Sequence, residues 1–278
     1  MNIALTGSSG FMGRALTARL ETGGHRVLPL RLREAPAVPP CDAVVHLAGE
    51  PIAQRWTAAA KQRIRESRVE ATRALVAQLA KLERTPRVLV AASAIGIYGS
   101  RGDEVLTEAS APGSDFLAEL CVAWEQAARE AAAFGVRVVS VRFGIVLGRE
   151  GGALARMLLP FRLGVGGRLG SGRQWMSWIH LEDALGLVEF ALGADRVSGP
   201  LNATAPNPVT NAEFTRRLAA ALHRPAFTPA PAFALKLMFG EMAGMLLDSQ
   251  RVEPHAALAA GYAFRYPDLG PALRRLLA

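Results

Sequence analysis

An apolar run within Asn2–Thr6 opens the chain, then a glycine-bearing turn, then apolar positions at helical spacing from about Phe11 to Thr22. Gly23-Gly24 ends that helix, since glycine reaches the backbone conformations that close helices. Arg26–Leu32 predicts a second strand, Ala35–Pro40 a Pro-rich connection, and Ala43–Leu47 a third strand. Residues 57–82 read as one long helix, broken before Pro86. Val88–Ala92 predicts a fourth strand, 115–133 another helix, and Val136–Val141 a fifth strand. These strands are apolar at nearly every position, so both of their faces are covered. Alternation with helices then predicts the α/β class: a Rossmann-like, doubly wound parallel sheet.

The pattern changes after about residue 148. Eight glycines between Gly148 and Gly172 predict loops around a short helix, Ala153–Arg162. Ser177–Leu181 reads as a strand, Glu182–Leu192 as a helix, and Asn211–Leu222 as a helix after a turn at Pro206 and Pro208. Pro225, Pro229 and Pro231 mark a linker, and the tail from 232 onward has a helical pattern. The expected division is 1–228 for the main domain, with a smaller substrate region in 149–178 and 205–228. A small helical C-terminal domain, 229–278, is appended.

The strongest local signal is Thr6-Gly7-Ser8-Ser9-Gly10-Phe11-Met12-Gly13, set between the first strand and the first helix. A pyrophosphate needs close backbone approach and N–H donors at a helix N-terminus, and glycine permits both. The spacing is G-x-x-G-x-x-G, and its place at the first strand–helix turn of an alternating chain makes it a dinucleotide signal. NAD-specific folds place an acid about 20 residues later, at the end of the second strand. That region reads Leu30-Arg31-Leu32-Arg33, with no acid before Glu34. Arg31 and Arg33 suit a 2′-phosphate, which favours NADP over NAD.

Composition narrows the field further. Half of the 278 residues are hydrophobic, which excludes a disordered chain. The net charge is +8, but only Lys61, Lys81 and Lys236 among the 32 basic residues are lysines. The arginines are scattered without a tract, so no nucleic-acid partner is expected. Cys41 and Cys121 have no metal spacing, and no metal is expected. Without a leader-like start or an apolar run of about 18 residues, the expectation is a cytoplasmic protein with no membrane contact. A small-molecule substrate is the expected partner, and a homodimer is compatible with it.

In order along the chain, Thr6–Gly13, Val44-Val45-His46-Leu47-Ala48-Gly49 and Ser93-Ala94-Ile95-Gly96-Ile97-Tyr98-Gly99 resemble three motifs of the extended short-chain dehydrogenase/reductase superfamily. Arg55-Trp56, Ser67-Arg68-Val69, Trp124-Glu125, Arg142–Gly148, Ser177–His180 and Gly261–Phe264 resemble its atypical, sugar-nucleotide-epimerase-like branch, which carries a C-terminal domain of unknown function. The resemblance implies that Gly7, Ser9, Gly10, Phe11 and Met12 meet the pyrophosphate and that Leu47, Ala48 and Gly49 line the adenosine side. It also implies that Ala92 and Ser93 lie by the nicotinamide ribose. Trp56, Arg142, Gln174 and Trp175 are the candidates for holding substrate.

The superfamily's catalytic pair is a Tyr acid/base with a Lys four residues on. Aligning on Glu125 puts Leu117 at the Tyr position and Cys121 at the Lys position. Composition closes the escape: no lysine lies between Lys81 and Lys236, and Tyr98 is the sole tyrosine there. Ser93 and Tyr98 remain as catalytic candidates, with water the other proton partner. The expected activity is an NADP-dependent oxidoreductase or epimerase of a small polar, sugar-like or nucleotide-sugar-like substrate. The alternative is a non-catalytic NADP(H)-binding sensor or scaffold. His46 and His180 read as packed, structural histidines, and Arg65 and Arg68 share a helix face suited to an anion.

Overall fold

The computed structural model describes residues 1–31 and 37–278. The first half runs β1 (Asn2–Thr6), α1 (Phe11–Thr22), β2 (Arg26–Leu30), β3 (Ala43–His46), α2 (Ala58–Arg65), a π-helical turn (Glu66–Glu70) and α3 (Ala71–Leu79). β4 (Val88–Ala94) leads through a 3-10 turn (Ile95–Tyr98) to β5 (Val105–Leu106), α4 (Phe116–Arg129) and β6 (Arg137–Phe143). The second half adds β7 (Ile145–Leu147), α5 (Gly152–Arg162), β8 (Trp175–Met176), β9 (Trp178–His180), α6 (Leu181–Gly193), β10 (Gly199–Ala203), β11 (Val209–Thr210) and α7 (Asn211–Leu222). The tail carries α8 (Ala232–Phe239), α9 (Gly244–Leu247), β12 (Arg251–Val252), α10 (His255–Ala259) and α11 (Leu269–Leu277). Arg33 and the start of the Pro-rich connection lie outside the described residues.

Six strands form one sheet in the order β10-β6-β4-β3-β1-β2, and every pairing in it is parallel. Both faces are covered, by Leu16, Leu20, Leu187 and Val188 on one side and by Leu75, Leu79, Ala128 and Ala131 on the other. The chain winds outward from β1 to β2, then crosses back so that β3 joins the other side of β1. That reversal is the switch point where open α/β sheets bind ligands, beyond the carboxyl ends of their strands.

Pairing moves several boundaries that local pattern set differently. β4 and β6 each run two residues past the expected ends, and Ser93 sits directly across from Arg142. A polar residue stays in register when its neighbour strand supplies the ladder. The long 57–82 helix is divided by the π turn at Glu66–Glu70, a feature often found at functional sites. The Ser177–Leu181 strand is shorter, and a separate two-residue strand precedes it.

The helical tail shares its buried side chains with what precedes it. Leu269, Leu273 and Leu276 of α11 pack with Phe214 and Leu218 of α7. β12 pairs with β5. The Asp183 carboxylate, at the start of α6, accepts the N–H groups of Arg265 and Tyr266 at 2.8 and 2.9 Å. Among the described residues no helix is long and apolar enough to cross a membrane, and none of His, Cys, Asp and Glu gather into a metal-binding group.

Candidate dinucleotide and catalytic site

The glycine turn folds as phosphate chemistry requires. Gly7 has a φ of 73°, which L side chains rarely adopt. A Cβ there would sit 2.8 Å from the Leu47 carbonyl carbon and 2.9 Å from the Ala48 nitrogen. A Cβ at Gly13 would run into the backbone of Gly7. The turn after β1 thus lies directly against the turn after β3, across the switch point. Gly10 caps α1 in an extended conformation without a side-chain cap, and the first turn of α1 holds no acid. The leading N–H groups and the positive end of the helix dipole are therefore available to an anion. This is a cradle that a diphosphate fits. Ser9 and Gly10 are exposed at its rim. Phe11 turns its ring the other way, against Gly148, Gly151 and Gly152, where any side chain would collide with it.

A buried hydrogen-bond chain sets the second wall. Thr72 Oγ1 donates to the Arg68 carbonyl at 2.5 Å and accepts from Trp124 Nε1 at 3.0 Å. Its proton is committed, so His46 donates to it through Nε2, at 2.9 Å. His46 Nδ1 then accepts the Thr6 hydroxyl at 2.6 Å, and Thr6 Oγ1 accepts the Ala48 N–H at 3.2 Å. Burial, with the nearby Arg68 charge, lowers the His46 pKa to about 4, so the ring is neutral at physiological pH. His46 is the packed histidine that the strand pattern suggested, and it ties the end of β3 to helix α3.

Arg68 is a residue whose place the sequence suggested only as a helix face. Its guanidinium lies 5.2 Å from the Trp124 ring centroid and against Gly49, where a Cβ would sit 3.1 Å from Cζ. Its side-chain hydrogen bonds, to Ile64 O and Ser67 Oγ, are long, at 3.4 and 3.5 Å. The π turn that carries it leaves no mark on the hydrophobic periodicity. Arg65 is exposed and does not share this cleft position.

At the end of β4, Ser93 donates to Glu125 Oε1 at 2.7 Å. Arg142 grips the same carboxylate from Nε and Nη2, at 2.8 and 2.9 Å. Arg142 Nη1 donates to Tyr98 Oη at 2.8 Å, and Tyr98 donates to Asn202 Oδ1 at 2.7 Å. All five side chains are buried. Burial penalises the Arg142 cation, but the hydrogen bonds and charge of Glu125 outweigh it and hold the group above its ordinary value. Burial raises the Tyr98 pKa.

The expected site residues therefore separate. Gly7, Ser9, Gly10, Leu47, Ala48 and Gly49 gather on the two abutting turns, and Met12 lies in the first turn of α1. Arg31 follows β2, while Ala92 and Ser93 stand at the end of β4. Tyr98 and Arg142 are interior braces whose hydrogen-bonding capacity the protein itself consumes. Gln174 is buried too, with its amide given to Leu169 O and Leu246 O at 3.0 and 3.1 Å. Trp56 donates to Ile52 O and meets Phe116 edge-on, with centroids 5.2 Å apart. Trp175 donates to Asp103 and is covered by Arg251. At the two positions of the missing dyad, Leu117 covers Gly96, and burial pushes the Cys121 thiol up to about 12. Two surface hollows, of about 520 and 470 Å³, are lined by other residues, around Arg216 and around Tyr262.

Comparison with known proteins gives the family. The model of the NAD dependent epimerase/dehydratase family matches residues 3–203, and that of a domain of unknown function (DUF1731) matches residues 230–276. The epimerase family protein YfhF of Bacillus subtilis is 40% identical over 299 residues, covering 100% of this chain and 98% of that protein. The crystal structure of human epimerase family protein SDR39U1 with NADPH superposes with a TM-score of 0.94 at 39% identity, covering 100% of this chain and 99% of that one. A nucleoside-diphosphate sugar epimerase from Corynebacterium glutamicum gives 0.82 at 38%, covering 100% of this chain and 58% of that one. The chain belongs to the NAD dependent epimerase/dehydratase family.

Proposed function

We propose that this chain binds NADPH across the carboxyl ends of β1–β4 and acts as an oxidoreductase or epimerase on a small molecule. The observation that carries the reading is the cradle formed by Gly7, Gly10 and Gly13 against the Leu47–Gly49 turn. The human relative solved with NADPH supports the choice of dinucleotide. When bound, the dinucleotide supplies a hydride donor or acceptor.

The chain's own residues do the rest. Backbone N–H groups at the start of α1 receive the pyrophosphate, and the Leu47–Gly49 backbone lines the adenosine side. Arg31 answers a 2′-phosphate by charge. Arg68, whose own hydrogen bonds are long, supplies a cation beside Gly49 for the middle of the dinucleotide. Ala92 and Ser93 bound the nicotinamide end. Because Ser93 gives its proton to Glu125, its oxygen can accept from a substrate hydroxyl and has no proton to offer a carbonyl. Tyr98 acts as a brace for Arg142, and solvent water exchanges the substrate proton.

A second reading, a non-catalytic NADP(H) sensor, is favoured by one observation: Leu117 and a neutral, buried Cys121 stand where proton chemistry is expected. Thermal melts with NADPH and NADH test the common part. NADPH raises the melting temperature by several degrees at saturating concentration, with NADH weaker. No response to any dinucleotide sinks both readings. NADPH binding without turnover of any carbonyl compound leaves the sensor.

A further inference from the structure

We infer that Arg68 takes over the ribose-binding half of the missing lysine's work, reaching the nicotinamide ribose from the β3–α3 side of the cleft rather than from α4. This rests on the dinucleotide reading and narrows the part of that molecule which Arg68 holds.

In the superfamily's catalytic pair the lysine has two tasks. It lowers the tyrosine pKa, and it binds the nicotinamide ribose. Leu117 stands at the tyrosine position here, so the first task has no object. The second needs only a lasting hydrogen-bond donor. Cys121, at the lysine position, does not supply one, because burial keeps its thiol neutral. Other cations nearby are engaged. Lys61 pairs with Glu241 at 2.6 Å. Arg142 directs Nε and Nη2 to Glu125 and Nη1 to Tyr98 and the Glu108 carbonyl.

The position of Arg68 fits the second task. Its guanidinium packs on Gly49, past the end of β3, where a Cβ would stand 3.1 Å from Cζ, 3.2 Å from Nη2 and 3.3 Å from Nη1. Only glycine at 49 leaves it that room. On its other side it lies over the Trp124 ring of α4, 5.2 Å from the centroid. Trp124 is about one helical turn from Cys121 and shares an apolar cluster with Ala92, the residue before Ser93. The Arg68 charge acts on Cys121 itself. In the sheet β1, β3 and β4 are consecutive neighbours. They carry in turn the glycine cradle, the Gly49 turn and Ser93. Arg68 therefore stands between the cradle that receives the pyrophosphate and the end that meets the nicotinamide, which is the interval a ribose spans.

The donors of Arg68 are open as well. Both of its side-chain hydrogen bonds come from Nη1, and both are long, at 3.4 and 3.5 Å. Nε and Nη2 make no hydrogen bond among the described residues, and neither is sealed from solvent. Burial pulls the group below its ordinary pKa, and the Glu50 charge offsets this only in part. A half-buried cation with unspent donors gains from a ligand that arrives with lone pairs. A guanidinium offers paired donors in a fixed fork, which suits the two adjacent hydroxyls of a ribose. Unlike a lysine, it stays charged throughout, so it holds the sugar without exchanging a proton.

The test titrates the full chain with NADPH and with 2′-phosphoadenosine 5′-diphosphate, which keeps the adenosine and both bridging phosphates but lacks the nicotinamide ribose. Thermal shift and tryptophan fluorescence read both titrations. Arg68→Met preserves an unbranched stem to pack on Trp124. It weakens NADPH binding about ten- to a hundredfold and leaves affinity for the truncated nucleotide within about twofold of the parent chain. Arg68→Lys, which returns a donor without the fork, recovers part of the loss. Unchanged NADPH affinity in Arg68→Met overturns the inference. So does an equal loss for both ligands, which puts Arg68 on the phosphates or in the packing of the site. A parent chain that binds neither ligand overturns the dinucleotide reading instead.

Discussion

Ser93 and Glu125 are joined by a 2.7 Å hydrogen bond in which the hydroxyl is the donor, and both groups are buried. The carboxylate is held from its other side by two Arg142 nitrogens. One buried anion thus orients the hydroxyl at the end of β4 and neutralises the cation of β6. Removing one member of such a pair leaves an uncompensated charge in the interior. Glu125→Ala therefore destabilises the fold by about 3–5 kcal/mol, measured by urea unfolding. Ser93→Ala costs far less, because Arg142 still satisfies the carboxylate. Equal losses in the two variants would refute this ordering.

Gly7→Ala probes the cradle. The new methyl meets the Leu47 and Ala48 backbone at under 3 Å, on a residue whose φ is already 73°. Backbone strain alone costs about 1–2 kcal/mol. Separation of the two turns weakens NADPH affinity at least about tenfold, converted from about 1.4 kcal/mol of lost contact. A fluorescence titration with NADPH checks it, and unchanged affinity in a folded variant would remove the cradle from the site.

The His46 ring predicts a pH response. Its folded pKa, about 4, lies below the ordinary 6.5, chiefly through burial. Between those values the unfolded chain binds a proton that the folded chain refuses. Stability is therefore full above about pH 6.5 and falls as pH drops toward 4, by on the order of 3 kcal/mol. His46→Gln is less stable at neutral pH, since Thr6 and Thr72 lose a fitted partner, yet its urea midpoint depends less on pH across that window. An unchanged slope would place the acid sensitivity elsewhere.

Leu273 tests whether the C-terminal helix belongs to the same cooperative unit. It is fully buried, in a cluster that includes Phe214 and Leu218. Leu273→Ala costs about 2–5 kcal/mol and lowers a single thermal transition. Two resolved transitions, with only the smaller one shifted, would mean that the tail unfolds by itself.

Much of this architecture is legible in the chain itself. Strands with no polar face, glycines at the first strand–helix turn, and Gly23-Gly24 at a helix end are local signals with local causes. The scarcity of lysine and tyrosine is equally direct: residue inventory alone excludes the usual catalytic pair from α4. Other assignments required the partner strand or helix. Arg142 and Gln174 are polar residues near the expected site, and nothing local says whether their donors face a ligand or the protein. Tyr98 poses the same question, which Asn202 answers from 104 residues away. Arg68 needed the π turn, which adds no hydrophobic period to read.

By itself, the sequence determined the sheet, the glycine turn and the absence of a Tyr–Lys pair, because backbone conformation and residue inventory are properties of the chain. Tertiary structure alone decided which polar groups stay open to a ligand. A hydrogen-bond donor can be spent only on an acceptor brought beside it, and Ser93, Glu125, Arg142, Tyr98 and Asn202 meet only once β4, α4, β6 and β10 have packed together.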